Sequence, residues 1–128
     1  MSSTPVAVLD ANVLVPAGVR DVLLSIATAD LFVPIWQAEI EAEVLRNASR
    51  LIASRQPTLD IVDIVDIAAK VNRTIAQMNT AFPGARLDDA DWKGLVATMS
   101  NDPMDRHVLA AAVASQATHL VTENLRDF

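Results

Sequence analysis

An α/β fold with a mostly parallel central sheet is predicted by three features of the sequence. Short apolar runs alternate with longer segments of helical periodicity. The runs are apolar at nearly every position, as in strands covered on both faces, and small polar or acidic residues stand where they end. At 128 residues the chain is long enough for one core and not two, so a single domain over 1–128 is expected.

Pro5 to Leu9 is an apolar run closed by Asp10-Ala11-Asn12, which reads as a buried strand ending in a turn. A helix is expected next: Pro16 suits a first helical turn, and Val19, Leu23, Ile26 and Ala27 form one stripe that ends near Asp30. Leu31 to Ile35 reads as a second strand and Trp36 to about Arg50 as a second helix. A third helix is predicted from about Leu59 to Asn79. Its start signal is Pro57-Thr58, its stripe is Ile61, Ile64, Val65, Ala68, Val71, Ile75 and Met78, and Phe82-Pro83-Gly84 breaks it. Between Ala85 and Ser100 no period stands out, beyond a short strand or helical turn around Trp92 to Met99. Asn101-Asp102-Pro103 opens another helix carrying Val108, Leu109, Ala111, Ala112 and Ala114, and Thr118 to Thr122 reads as a last buried strand. Ligands of such folds gather at the carboxyl ends of strands, where Asp10 and the Thr122–Asn124 turn both fall.

Hydrophobic residues make up 52% of the chain and the mean hydropathy is +0.29, values that exclude a disordered linker. No apolar run approaches the roughly 20 residues needed to span a bilayer. The N-terminus lacks a basic segment followed by an apolar one, and there is no cysteine, so a cytoplasmic location is expected. A net charge of −6 argues at first sight against a nucleic-acid partner. That inference is weak where carboxylates bind cations, because bound ions reverse the local field. Eight of the ten basic residues are arginine, and Arg46, Arg50 and Arg55 read either as a solvated helix face or as phosphate contacts.

Asp10, Glu43, Asp102 and Asp105 lie far apart in the chain, each where a strand ends or a helix turns inward. Gathered by folding, they would form a carboxylate cluster, whose hard oxygens suit Mg²⁺ or Mn²⁺. Each acid also has a plainer role. Asp10 and Asn12 could simply form an Asx turn, although an unpaired carboxylate at the end of a buried strand is costly. Glu43 shares its segment with Glu39 and Glu41. With Ile40 at the centre of a stripe of Trp36, Ile40, Val44, Asn47 and Leu51, Glu43 lies roughly 60° from it and the other two roughly 100° away, so Glu43 is the inward one. Asp102 before Pro103 fits an N-cap, and Asp105 complements the helix dipole. His107 and His119 are too isolated for a metal motif and read as packing or surface residues.

In series, Val8-Leu-Asp-Ala-Asn12, Glu43 within Glu41-Ala-Glu-Val-Leu-Arg-Asn47, Asp102-Pro-Met-Asp-Arg-His-Val-Leu-Ala110 and Val121-Thr-Glu-Asn-Leu-Arg-Asp-Phe128 resemble the successive motifs of the PIN domain, in the branch of VapC-like toxins of toxin–antitoxin pairs. The resemblance covers nearly the whole chain in the right order. It implies a three-layer α/β/α sandwich and an endoribonuclease dependent on Mg²⁺ or Mn²⁺. Asp10, Glu43 and Asp105 match the family's core acids, and Asp102 is an added acid of the catalytic set. The family's fourth acid often follows the last-strand Thr, where this chain has Asn124, so Asp127 is the remaining metal ligand and the departure bears on a second metal. Asn12, Thr122 and Asn124 are expected to orient the acids or the attacking water. Four ionised carboxylates about 5 Å apart repel by of order 10 to 20 kcal/mol in sum, a repulsion that metal would relieve. PIN domains usually continue into another strand, so the resemblance also implies a C-terminal strand beyond Phe128. The implied partners are RNA, a small antitoxin protein and a second copy of the chain.

Two other readings stand beside it. A haloacid dehalogenase-type phosphotransferase also begins with an apolar strand and an Asp, but it requires a second Asp where Asn12 stands, and Lys70 and Lys93 fit no such context. A non-catalytic PIN-like module that binds RNA or protein would carry the same acids without cleavage.

Overall fold

The computed structural model describes residues 4–124. Three strands, β1 (Val6–Leu9), β2 (Val33–Ile35) and β3 (His119–Val121), form a parallel sheet in the order β2-β1-β3. Val8 pairs with Ile35 on one side and Leu120 on the other. Because all three run the same way, Asp10, Trp36-Gln37 and Thr122 emerge at one edge of the sheet. Pro34, which has no N–H to donate, is tolerated because β2 lies at the edge of the sheet.

Six α-helices complete a three-layer α/β/α sandwich among the described residues: α1 (Ala11–Leu14), α2 (Ala17–Thr28), α3 (Ala38–Ala53), α4 (Ile61–Ala81), α5 (Asp89–Trp92) and α6 (Arg106–Ala114). α3 packs along α4 and against α1, and α6 packs on β1. Val8, Leu9, Leu14, Trp36, Ile40, Val44 and Val108 are fully buried where these layers meet. Each such side chain contributes about 1.5–3 kcal/mol on leaving water. No helix among the described residues is long and apolar enough to cross a membrane.

The elements follow the predicted order, with local differences that have physical causes. The single helix expected after β1 is two, a four-residue turn followed by α2, and Pro16 occupies the N-cap position of α2 instead of its first turn. α3 begins at Ala38. Trp36 is still engaged by the returning chain, accepting from the Leu87 N–H and donating to the Ala85 carbonyl, and Gln37 is the cap. The buried stripe of α3 is Ile40, Val44 and Ala48; Asn47 and Leu51 are exposed. α4 starts at Ile61 because Asp60 and Asp63 form a reciprocal capping box, a stronger signal than Pro57-Thr58. The illegible stretch contains α5, with Trp92 buried, and a 3₁₀ turn over Lys93–Thr98. A second 3₁₀ turn, Pro103–Asp105, leads into α6.

Candidate functional site

Asp10 ends β1 and starts α1. Its backbone N–H donates to the Val121 carbonyl, extending the sheet by one bond, and the residue is 3% exposed. Both oxygens are held: Oδ1 accepts from the Ala11 N–H at 2.7 Å and Oδ2 from the Thr122 hydroxyl at 2.9 Å. Thr122 is fixed in turn, since its Oγ1 accepts from Asn12 Nδ2 at 3.1 Å and from the Asn124 N–H at 3.0 Å. With both acceptor positions occupied, the single hydroxyl hydrogen must point at Asp10. Asn12 Oδ1 closes the ring by accepting from the Glu123 N–H at 3.1 Å. Thus Asp10, Asn12, Thr122 and Asn124 are brought together across the β1–β3 edge.

Glu43 approaches from α3. Its carboxylate forms an ion pair with Nε2 of His107 on α6, and both side chains are largely buried. Gln37, which is fully buried, ties the same two helices: Oε1 accepts from the Ile40 N–H at 2.7 Å and Nε2 donates to the His107 carbonyl at 3.1 Å. Burial raises the Asp10 pKa above 3.8, opposed by the hydrogen bonds from Thr122 and Ala11 and reinforced by the negative charge of Glu43. For His107, burial acts downward. It is outweighed by the hydrogen bond and charge of Glu43 and by the charges of Glu39 and Asp10, so the imidazole pKa is raised above 6.5. Asp10, Glu43 and His107 are therefore electrostatically one group, carrying two carboxylates and one shared counter-charge.

The other acids sit differently. Asp102 is exposed and caps the 3₁₀ turn, its Oδ1 accepting from the Met104 N–H at 2.9 Å, the plainer role foreseen for it. Asp105 occupies the N-cap position of α6, two residues before His107. Asp127 lies outside the described residues. Glu39 is exposed, whereas Glu41 joins a separate network: its carboxylate accepts from Asn79 Nδ2 at 2.6 Å and from Arg86 Nε at 2.8 Å, and Asn79 accepts from the Trp36 indole.

As donors, Asp10 and Glu43 fit a hard divalent cation: they are oxygen ligands, close enough for one charge to raise the other's pKa, and short of positive charge. Among the described residues no group of three His, Asp or Glu side chains is assembled at ligand distances. Two members of the site are missed from sequence. His107 was read, with His119, as too isolated for a metal motif, whereas its pairing with Glu43 across the α3–α6 contact places it in the site. Gln37 fell inside the second predicted helix and was given no role, although a glutamine directly after a buried strand is well placed to cap the helix that follows.

The family model of the PIN domain matches residues 6–126 of the chain, from the first residue of β1 to beyond the Thr122 turn. No curated protein and no solved structure matches it.

Proposed function

This chain belongs to the PIN domain family, whose members are generally nucleases, and we propose that it is an endoribonuclease that hydrolyses RNA phosphodiester bonds with Mg²⁺ or Mn²⁺. The observation that carries the reading is Asp10, a buried carboxylate clamped at both oxygens and set in the field of Glu43. Asp10, Glu43 and Asp105 would hold the ion, with Asp102 and Asp127 supporting. A bound divalent cation supplies charge neutralisation, orientation of the phosphodiester and a lowered pKa for the attacking water. The chain's own part is positional. Thr122, fixed by Asn12 and Asn124, presents one rotamer of Asp10, and Gln37 sets the distance between the helices that carry Glu43 and His107. The toxin role, with a small antitoxin as partner and a homodimer as the assembly, belongs to the same proposal and is supported by the motif series.

The test is cleavage of labelled structured and single-stranded RNAs in Mg²⁺, Mn²⁺ or EDTA, with Asp10→Asn as control. Cleavage should require metal and vanish in the variant; activity indifferent to both would belong to a contaminant. RNA retained without cleavage would make this a binding module. Metal should also raise the melting temperature, by an increment equivalent to about 2.7 kcal/mol at a hundredfold excess over Kd, and a flat titration with both ions would count against the site.

A further inference from the structure

A cleft of about 520 Å³ opens between α2, α3 and α4, with Leu51, Ile52 and Val71 among its apolar lining and Arg20, Arg55 and Lys70 among its polar one. Acidic residues outnumber basic ones by 16 to 10 in this chain, yet no Asp or Glu lines the cleft. None of the ion pairs Arg86–Glu41, Lys93–Asp89 and His107–Glu43 involves the three cations of the cleft. Arg20 is held by a bond from Nη1 to the Leu14 carbonyl; Arg55 and Lys70 are exposed. The cleft thus combines three cationic side chains with an apolar floor and no acid in its lining. It calls for a ligand that is anionic along one side and apolar along another.

The cleft also has a fixed relation to the acids. Val15, on its wall, directly follows the short helix that Asp10 caps, a span of about 6 Å, and Val44, also on its wall, follows Glu43. We propose that this cleft holds a single strand of RNA whose path leads along α3 toward Glu43, roughly 15 Å from the Arg55 end, with Arg55, Lys70 and Arg20 contacting its phosphates while unpaired bases or sugars rest on Leu51 and Ile52. An apolar floor serves only unpaired bases, whose faces are free, and the guanidinium groups suit phosphate bidentately. The proposal rests on the nuclease reading for its choice of anion.

The experiment measures fluorescence anisotropy of a labelled single-stranded RNA in EDTA, where metal-dependent cleavage is silent, over a series of salt concentrations. Arg55→Gln/Lys70→Gln is compared with wild type and with Lys93→Gln, whose side chain pairs with Asp89 away from the cleft. Both cleft residues are exposed, and unchanged melting temperatures will show that the variants fold. Each lost phosphate contact lowers the slope of log K against log salt by about 0.7, so the double variant should bind more weakly with a slope lower by about 1.4, and Lys93→Gln should match wild type. A wild-type slope in the double variant, or an equal loss in Lys93→Gln, overturns the proposal. So does binding of polyglutamate in place of RNA that is lost on the same substitutions, which would assign the cleft to an acidic protein segment. RNA bound with the expected slope change but never cut in Mg²⁺ or Mn²⁺ would sink the nuclease reading and leave the cleft; cleavage with an unchanged slope would do the reverse.

Discussion

Glu39, Glu41 and Glu43 occupy alternate positions at the start of α3, and their surroundings give them three separate jobs. Glu39 faces solvent, Glu41 anchors Asn79 and Arg86, and Glu43 pairs with His107 beside Asp10. Glu43→Gln should therefore lower metal-dependent cleavage about 10²-fold or more, the scale of a lost transition-state contact, while Glu39→Gln leaves it near wild type. Glu41→Gln should keep cleavage but lower stability by about 1 kcal/mol, because it weakens charge-assisted bonds to α4 and to the returning chain. Parallel cleavage assays and thermal melts separate the three; equal cleavage losses would show that Glu43 has no special place. A pH dependence follows from the same cluster. The raised His107 pKa gives stability that is complete below 6.5 and is lost as pH rises through the higher folded value. Asp10, raised above 3.8, acts in the same direction, since its ionisation in the fold is what costs. In EDTA the melting temperature should fall as pH rises from about 6 to about 9, and His107→Gln should flatten that fall. A wild-type stability that climbs over this range would contradict the sign. From sequence, the inward turn of Glu43 was readable from the helical period alone, but its pairing with His107 was not, because 64 residues separate them and only the packing of α3 on α6 joins them.

Two helices end in the same unusual way. After α2 the residue Asp30 takes φ 61°, and after α6 Gln116 takes φ 55°. In both places paired bonds close the helix: Leu31 N–H to the Ile26 carbonyl with Asp30 N–H to Ala27, and Ala117 N–H to Ala112 with Gln116 N–H to Val113. These are Schellman ends, whose left-handed residue is most often glycine. Glutamine has no short polar group to offset the crowding of its Cβ, so Gln116→Gly should stabilise the protein by about 0.5–1 kcal/mol, the relief of left-handed strain less the entropy glycine adds to the unfolded chain. A lower melting temperature for Gln116→Gly would mean that the glutamine side chain is itself anchored. Because neither turn carries glycine, these helix ends gave no signal in the sequence beyond the fading of the apolar stripe. The strands were legible for the opposite reason: Pro5 to Leu9 and the stretch around His119 to Val121 are unbroken or nearly unbroken apolar runs bounded by turn residues. The region from Ala85 to Ser100 was not, since a four-residue helix and a 3₁₀ turn are too short to establish a period. The α3 wheel, centred on Ile40, placed Ile40 and Val44 inward as the structure does, but its later members Asn47 and Leu51 are exposed and Ala48 holds the buried position instead.

Over the whole molecule the sequence pattern and the burial disagree most along α4. Its stripe predicted an inward face throughout, but only Ile67, Val71 and Met78 are buried, and Ile61 is 79% exposed with Val62, Ile64 and Val65 also open. The difference lies at the start of the helix: α4 has 21 residues against 16 in α3, and among the described residues its first turns, through Val65, stand clear of the buried contacts that begin at Ile67. Four large apolar side chains on one helical half-length, together with Val22 and Val19 of α2, exceed the scattered exposure usual for a monomer. The expected outcome is self-association through this part of α4, a symmetric contact in which each copy covers the other. Light scattering coupled to size exclusion should give a dimer, and Ile64→Lys/Val65→Lys should convert it to a monomer with little loss in the melting temperature of the monomer fold, since both side chains are already in water there. A wild type that stays monomeric at every concentration sinks the homodimer. A wild type that is monomeric alone but binds the product of an adjacent short reading frame through Ile64 and Val65 would instead give this surface to the antitoxin.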